Sequence, residues 1–320
     1  MLSVLVPVYN QAQFIEETLN SIVGQVDINF RYQLIIANDA STDSTATVID
    51  GWINKSKVKK ADVIYVDNPD NLGLVSNVFN ALKYCTGEYV ALCGGDDVWL
   101  PNKLAKQMQS LAENPEYGVV YSKAYKCNEM GEVTNPDETE GFAFGSFELL
   151  LKRNSIPAST AIIKAHLIDM YVKEINPLNK PWVMEDYPLW LWCSQNTKIK
   201  FLEFVTVKYR VLTESASHSK SYVKNKIFSV SRLEVILFFC KKYNKLLEPS
   251  LLESYYFNFV ELSALQMDKK ALRAISAEIL PFALERKTFK SLFSLVGCYF
   301  PATYVYITTR IRLRKNNGYL

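Results

Sequence analysis

An α/β fold with a mostly parallel central sheet and helices on both faces, followed by a C-terminal helical region, is what this sequence predicts. Over the first hundred residues four short apolar runs alternate with stripes of helical period, the pattern of strand–helix–strand units joined by right-handed crossovers. Three of the four runs stop at polar clusters, as strands do whose carboxyl ends face a ligand crevice. From Tyr222 onward the chain reads almost wholly helical.

Leu2 to Val8 is a continuous apolar run closed by Pro7, Tyr9 and Asn10, as expected of a strand covered on both faces. Ile15, Leu19, Ile22 and Val23 then recur at helical spacing. Leu34 to Ala37 is a second run, stopped by Asn38-Asp39-Ala40-Ser41-Thr42, a stretch rich in helix-capping types. Val48, Ile49, Trp52 and Ile53 form the next helical stripe, Val63 to Val66 a third run, and Leu74, Val75, Val78, Phe79 and Leu82 a third stripe. The fourth run, Tyr89 to Cys93, ends in Gly94-Gly95-Asp96-Asp97. A helix follows over 101–113. Tyr117 to Tyr125 and Ala161 to Lys164 read as strands, Glu185 to Ser194 as a helix, and Ile199 to Val211 as a strand leading into a polar loop. The organisation this predicts is an α/β domain over 1–220, in two halves of different pattern (1–115 and 116–220), and a helical region over 221–320.

Apolar residues make up 49% and charged residues 22% of the 320, ordinary values for a folded chain. A net charge of +3 gives no case for a nucleic-acid partner. Six scattered cysteines without a C-x-x-C pair favour free thiols in a reducing compartment over a disulfide framework. The start, MLSVLVPVYN, lacks a basic n-region and reads as a buried strand, not a signal peptide. A cytoplasmic location is therefore expected. With two histidines, a histidine-based zinc site is not expected.

Asp96 and Asp97 concentrate negative charge at a strand end that two glycines bring close to a ligand. Adjacent carboxylates repel unless a cation joins them, and carboxylate oxygen is the preferred ligand of Mg2+ or Mn2+. A turn capping the helix beyond Pro101 is the plainer reading of the same residues. Asp39 at the neighbouring strand end can accept from a nucleobase imide or a ribose hydroxyl, or can cap a helix beside Ser41 and Thr42.

The three segments SVLVPVYNQAQFIEETLNSIVGQ, QLIIANDASTDST and NLGLVSNVFNALKYCTGEYVALCGGDDVWLPNKLAKQ resemble, in order and spacing, glycosyltransferase family 2, a family of inverting enzymes with the GT-A fold. The likeness covers residues 1 to about 215. The resemblance implies transfer of a sugar from a nucleoside-diphosphate-sugar, most often a UDP-sugar, to a hydroxyl on a glycan or lipid-linked glycan, in bacterial surface polysaccharide synthesis. It places Pro7, Tyr9 and Asp39 around the donor nucleotide. The family's D-x-D motif maps onto Gly94-Gly95-Asp96, which assigns Gly95 and Asp96 to the donor and Asp96, with Asp97 following, to the metal. Its first Asp is Gly94 here, so ribose contacts are expected to differ. A Glu-Asp pair that opens a helix matches Glu185-Asp186, with Asp186 expected as the catalytic base and Glu185 as the alternative. By themselves these two acids read as a favourable first helical turn. A Tyr-Arg strand end and the Ser-rich loop after it match Tyr209-Arg210 and Ser215-Ala216-Ser217-His218, which makes Arg210 a candidate diphosphate ligand and His218 a candidate metal ligand.

Trp99, Trp182, Trp190 and Trp192 are expected near the acceptor, where aromatic faces suit sugars, or in the core. Ser291 to Tyr306 is apolar and aromatic, is broken by Pro301, and precedes Arg310, Arg312, Arg314 and Lys315. Peripheral contact with the cytoplasmic face of an anionic inner membrane and packing in a homo-oligomer are the two readings of that tail. A non-catalytic sugar-nucleotide binder and a nucleotidyltransferase are the rival functions. The latter lacks its glycine-rich loop after the first strand.

Overall fold

Strands β1 (Leu2–Val8), β2 (Tyr32–Asn38), β3 (Ala61–Asp67) and β4 (Tyr89–Leu92) run parallel, with β1 between β2 and β4 and β3 on the outer edge. The structure, a computed structural model, describes residues 1–55, 61–143, 146–212 and 221–316, and within the last span no side chain beyond Ile311. It divides into two compact units, Met1–Ser215 and Ala216–Leu320.

The first unit follows the predicted alternation. Helices α1 (Ile15–Val23), α2 (Thr45–Lys55) and α3 (Leu74–Ala81) connect the four strands. On β1 the even residues Leu2, Val4, Val6 and Val8 pack with Ile15, Leu19 and Ile22 of α1 and Ile49 and Trp52 of α2. Leu5 faces the other way, with Ile35 and Ala37 of β2, against Val78 and Ala81 of α3. A strand buried on both faces cannot alternate in polarity, which is why these strands read as unbroken apolar runs.

Beyond β4 the chain forms a two-residue strand β5 (Val98–Trp99), helix α4 (Lys103–Glu113), the long β6 (Tyr117–Cys127), β7 (Thr139–Glu140), helix α5 (Phe147–Lys152), β8 (Ile162–Lys164), α6 (Ala165–Ile175), α7 (Asp186–Asn196) and β9 (Lys198–Arg210). The order across the sheet is β3-β2-β1-β4-β8-β6-β9-β5, with β7 on β6. β8 is antiparallel to both β4 and β6, β9 is parallel to β6, and β5 is antiparallel to β9. The segment just after Asp97 is thus a short strand at the far edge of the sheet.

The second unit holds helices α8 (Tyr222–Lys242), α9 (Pro249–Leu265), α10 (Lys269–Arg286), α11 (Phe289–Tyr299) and α12 (Pro301–Asn316). Val260, Leu272, Ile275, Ile279, Phe293 and Tyr304 share one core. Pro301 starts α12, where its missing N–H costs nothing. Among the described residues no helix is long and apolar enough to cross a membrane.

Candidate functional site

The carboxyl ends of β1, β2 and β4 meet at one edge. Pro7 lies in register with Ala37 of β2, whereas the pairing of β1 with β4 stops at Leu5 and Leu92. The last bond between them runs from the Cys93 amide to the Leu5 carbonyl, 2.9–3.1 Å being the usual range and 3.0 Å the value here. Alternate residues of a parallel strand address the same neighbour, so Pro7, two residues on, turns its donor-less nitrogen toward β4 where the strands part.

The loops after β1 and β2 are laced together. Val8 accepts from the Asp39 amide at 2.9 Å, the Asn10 amide donates to Ser41 Oγ at 2.9 Å, and Asn10 Oδ1 accepts from the Thr42 amide at 2.8 Å. Asn10 and Ala40 both adopt left-handed backbone, with φ of 53° and 54°. For Ala40 that conformation costs roughly 1–2 kcal/mol, a strain that neighbouring contacts must offset. Tyr9 stands 45% exposed at the rim.

Asp39 is buried and its oxygens are occupied. Oδ1 accepts from the Leu72 amide (2.8 Å) and from Asn68 Nδ2 (3.3 Å), and Oδ2 accepts from the Gly73 amide (2.9 Å). Gly73 is the N-cap of α3. Asp39 therefore fixes the 68–73 loop that leads into α3, beside the expected nucleotide site. Capping of α2 falls instead to Asp43, which accepts from the Thr45 amide at 2.9 Å.

Gly95 packs directly on β1. A Cβ there would stand 2.3 Å from Gln11 Oε1 and 2.9 Å from Val8 Cγ2, so no larger residue fits. At Gly94 a Cβ would meet Asp96 Oδ1 at 3.0 Å, so an aspartate in that place would crowd the carboxylate two residues on. Asp96 is half-buried and hydrogen-bonded to Gln11. Burial pushes its carboxyl above the usual range, and Arg210 and Gln11 only partly oppose this. Gln11 Oε1 is buried without a hydrogen-bond partner. A desolvated carboxylate beside an orphaned amide oxygen fits a hard divalent cation. No group of three or more His, Cys, Asp or Glu able to hold a metal occurs among the described residues. The fit is therefore to an ion that takes one or two protein oxygens and the rest from phosphate and water.

Two expected site residues are engaged elsewhere. Asp97 is buried, with Oδ2 accepting from Ser159 Oγ and Oδ1 from the Arg210 amide at 3.0 Å. Its neighbour's charge and its own burial push it up to about 8, and its lone pairs hold the loop together instead of facing an ion. Arg210, expected to reach the diphosphate, has a side chain only 1% exposed. Its Nε donates to the Asp96 carbonyl (2.8 Å), Nη1 to the carbonyls of Asn128 (3.2 Å) and Glu129 (2.5 Å), and Nη2 to Glu17 Oε2 (2.7 Å). The ring of Phe14 lies 4.7 Å from the guanidinium. Arg210 thus clamps the Asp96 backbone from behind, with four of its five N–H donors engaged. His218 lies outside the described residues.

The second acidic pair opens α7. Asp186 Oδ2 accepts from Asn154 Nδ2 at 3.0 Å and Oδ1 from the Tyr187 amide at 2.6 Å. Burial pushes both acids up, Glu185 to about 8 with the Asp186 charge adding to it. Asn154 also starts the segment that ends at Ser159, whose Oγ accepts from the Gly94 amide at 3.0 Å and donates to Asp97. Six residues span at most about 20 Å, so one short strap ties the α7 acids to the Asp96 loop. Asn154, Ser159 and Gln11 carried no sequence signal, since a lone amide or hydroxyl in a mixed stretch is read as loop.

The tryptophans belong to the core. Trp99, Trp182, Trp190 and Trp192 are all buried. Trp192 Nε1 donates to Glu174 at 2.7 Å, and its ring meets Tyr171 edge-on. Trp99 lies 4.6 Å from the ammonium of buried Lys103, which Gln107 also bonds. None offers an open face to a sugar.

The family profile described as Glycosyl transferase family 2 matches residues 3–170, more than half of the chain. The chain belongs to glycosyl transferase family 2. This transferase is 26% identical over 226 residues to the Escherichia coli UDP-Glc:alpha-D-GlcNAc-diphosphoundecaprenol beta-1,3-glucosyltransferase WfgD, a match spanning 69% of this chain and 81% of WfgD. It is 26% identical over 311 residues to an uncharacterized glycosyltransferase of Haemophilus influenzae, spanning 92% and 90%. Its fold is that of S. aureus TarS residues 1–349 in complex with UDP-GlcNAc (TM-score 0.63, 16% identity, 99% of this chain and 92% of that one). The mannosyltransferase PcManGT of Pyrobaculum calidifontis, in complex with GDP-Man and Mn2+, shares it with a TM-score of 0.55 at 16% identity, over 95% and 86%. The transferase is therefore an enzyme of GT-A fold that moves sugar from a nucleotide-sugar.

Proposed function

We propose that this transferase moves the sugar of a UDP-sugar with inversion onto a lipid-linked glycan, with Mn2+ or Mg2+ held by Asp96. The observation that carries this reading is the arrangement of the two acidic loops. A half-buried carboxylate whose burial Arg210 and Gln11 only partly offset stands at the sheet edge, and a second pair, raised by burial, is strapped to the same loop through Asn154 to Ser159. WfgD, named for a UDP-Glc donor and a diphosphoundecaprenol acceptor, supports the substrate class.

Asp96, with Gln11 beside it, would hold the cation, which when bound neutralises charge that builds on the departing diphosphate. Arg210 keeps the Asp96 main chain in place, and Asp39 keeps the 68–73 loop in place for the nucleotide. Asp186 takes the proton of the acceptor hydroxyl. Asn154 and the Tyr187 amide both donate to its carboxylate, so it ionises before Glu185, and the proton left on the pair near neutral pH sits on Glu185. The acceptor oxygen bonds to the anomeric carbon as the bond from that carbon to the diphosphate breaks, its proton passes to Asp186, and this single displacement inverts the centre.

The test measures transfer from UDP-sugars to a diphosphoundecaprenol-linked acceptor, with Mn2+ and with EDTA, in the native protein, Asp96→Ala and Asp186→Asn. The reading expects metal-dependent turnover lost in both variants, with donor binding kept in Asp186→Asn. Full turnover in EDTA, or in Asp186→Asn, would falsify the metal or the base assignment respectively.

A further inference from the structure

Helix α11 is apolar on its outer side as well as on the inner side, where Phe293 and Cys298 join the core of the second unit. Ser291 and Ser294 are buried and bond within the helix, to the carbonyls of Thr288 (3.0 Å) and Lys290 (2.9 Å). Phe289, Leu292 and Tyr299 are exposed at 76%, 43% and 57%. With half-buried Val296 they recur at three- and four-residue steps, so they form one stripe along the outer side of the helix. Phe300 at the corner and Tyr306 on α12 extend the exposed aromatic surface, at 64% and 60%. A helix at the rim of a water-soluble unit turns its apolar stripe to the core and its serines outward. A second apolar stripe turned outward marks a face that meets something apolar.

Charge indicates what that is. From Arg286 to the C-terminus the sequence holds seven cations and no Asp or Glu. The +3 excess of the whole chain thus comes from this segment alone, since the remaining 285 residues hold more acids than bases. Arg286 and Lys287 precede the apolar stripe and are exposed, and Arg310 lies 5.2 Å over the ring of exposed Tyr306. A second copy meeting this face across a two-fold axis would set these cations against their own kind. An anionic bilayer complements both properties, receiving the aromatic rings at the headgroup boundary and the cations at its phosphates.

We infer that the α11–α12 face docks this protein peripherally on a membrane surface rich in anionic phospholipid, by insertion of Phe289, Leu292, Tyr299 and Phe300 among the headgroups. The inference stands on the second unit alone and is independent of the donor, metal and acceptor proposed above.

The test is co-sedimentation of the full chain with vesicles of phosphatidylglycerol and phosphatidylethanolamine, and with vesicles of phosphatidylcholine, at low salt. Binding is expected to the anionic vesicles, at least about tenfold stronger than to the neutral ones and weakened by salt. The double variant Phe289→Ser/Phe300→Ser is expected to remain in the supernatant. Arg286→Gln/Lys287→Gln is expected to bind about 25-fold more weakly, at the roughly 1 kcal/mol that each cation contributes near such a surface. Circular dichroism melting of each variant checks that the fold is retained. Recovery of the native chain in the supernatant, or equal binding to both vesicle types, overturns the inference. So does a dimer, seen by analytical ultracentrifugation, that the Phe289→Ser/Phe300→Ser change dissociates while vesicle binding persists.

Discussion

The two acidic pairs of the first unit divide their labour in opposite ways. At the end of β4 the second acid, Asp97, is sealed inside by Ser159 and the Arg210 amide, and the first, Asp96, keeps an open carboxylate. At the start of α7 the second acid, Asp186, is the one held in position, by Asn154 and the Tyr187 amide, and the first, Glu185, is pushed up to about 8 by burial and the Asp186 charge. A cation site needs uncommitted lone pairs, whereas a base needs fixed aim and a tuned proton affinity. Adjacent carboxylates of the same composition can therefore serve metal binding or proton transfer, according to which member the protein ties down.

The comparison breaks most sharply at Asp96. Asp96→Ala is expected to lower metal-dependent transfer by roughly 10³-fold or more, without loss of fold, in a steady-state assay with Mn2+. Asp97→Asn keeps the acceptor oxygen toward one partner and is expected to retain metal dependence. Equal loss in both variants would erase the distinction drawn between them. Asp186→Asn should cost about 10²–10⁴-fold in kcat with little change in donor KM, and Glu185→Gln clearly less. The reverse ranking would exchange base and proton store.

Arg210→Ala should destabilise the first unit by about 3–5 kcal/mol in urea unfolding, because it leaves carbonyls and Glu17 without their donor and empties a buried site. If only the diphosphate affinity fell and stability did not, the clamp would be the wrong description. A smaller effect tests Glu185. Its folded value is raised, from 4.5 to about 8, so the stability it contributes is complete below its unfolded value and is lost as pH rises toward about 8. Glu185→Gln should flatten the decline in stability between these limits, by on the order of 1–3 kcal/mol, in melts run across that range. An unchanged slope would place the proton elsewhere.

The strands of the first hundred residues were legible because a sheet covered on both faces demands apolar residues at most positions of β1 and β2, the polar Ser3 and Gln33 bonding one another. β5 was not, since two residues carry no periodicity and its pairing depends on Val207 and Lys208, more than a hundred positions away. Asp39, Asp96 and the α7 acids were legible as charges at element ends. Which lone pairs remain available was not. The sequence cannot tell Asp96 from Asp97, because a turn between Gly94 and Asp97 points neighbouring side chains apart. Asp39 was expected on a nucleobase or ribose hydroxyl, or as a cap beside Ser41 and Thr42, and its oxygens hold the Leu72 and Gly73 amides of a loop some thirty residues later. Arg210 resembled a ligand because Tyr209-Arg210 matches a strand end of the family that leads into a polar loop. Its partner Glu17 lies 193 positions earlier, and its other acceptors are main-chain oxygens, to which composition is blind.

Pro7 bears on the mouth of the cleft itself. Parallel neighbours tend to continue their ladder for as long as donor and acceptor alternate, and an added rung between β1 and the chain past Cys93 would draw the Gly95–Asp96 turn inward. A ring in place of the N–H removes that rung covalently. The gap in which a diphosphate could lie is in this way protected from zipping shut by a feature of chain chemistry that no change of solvent, temperature or ligand can reverse.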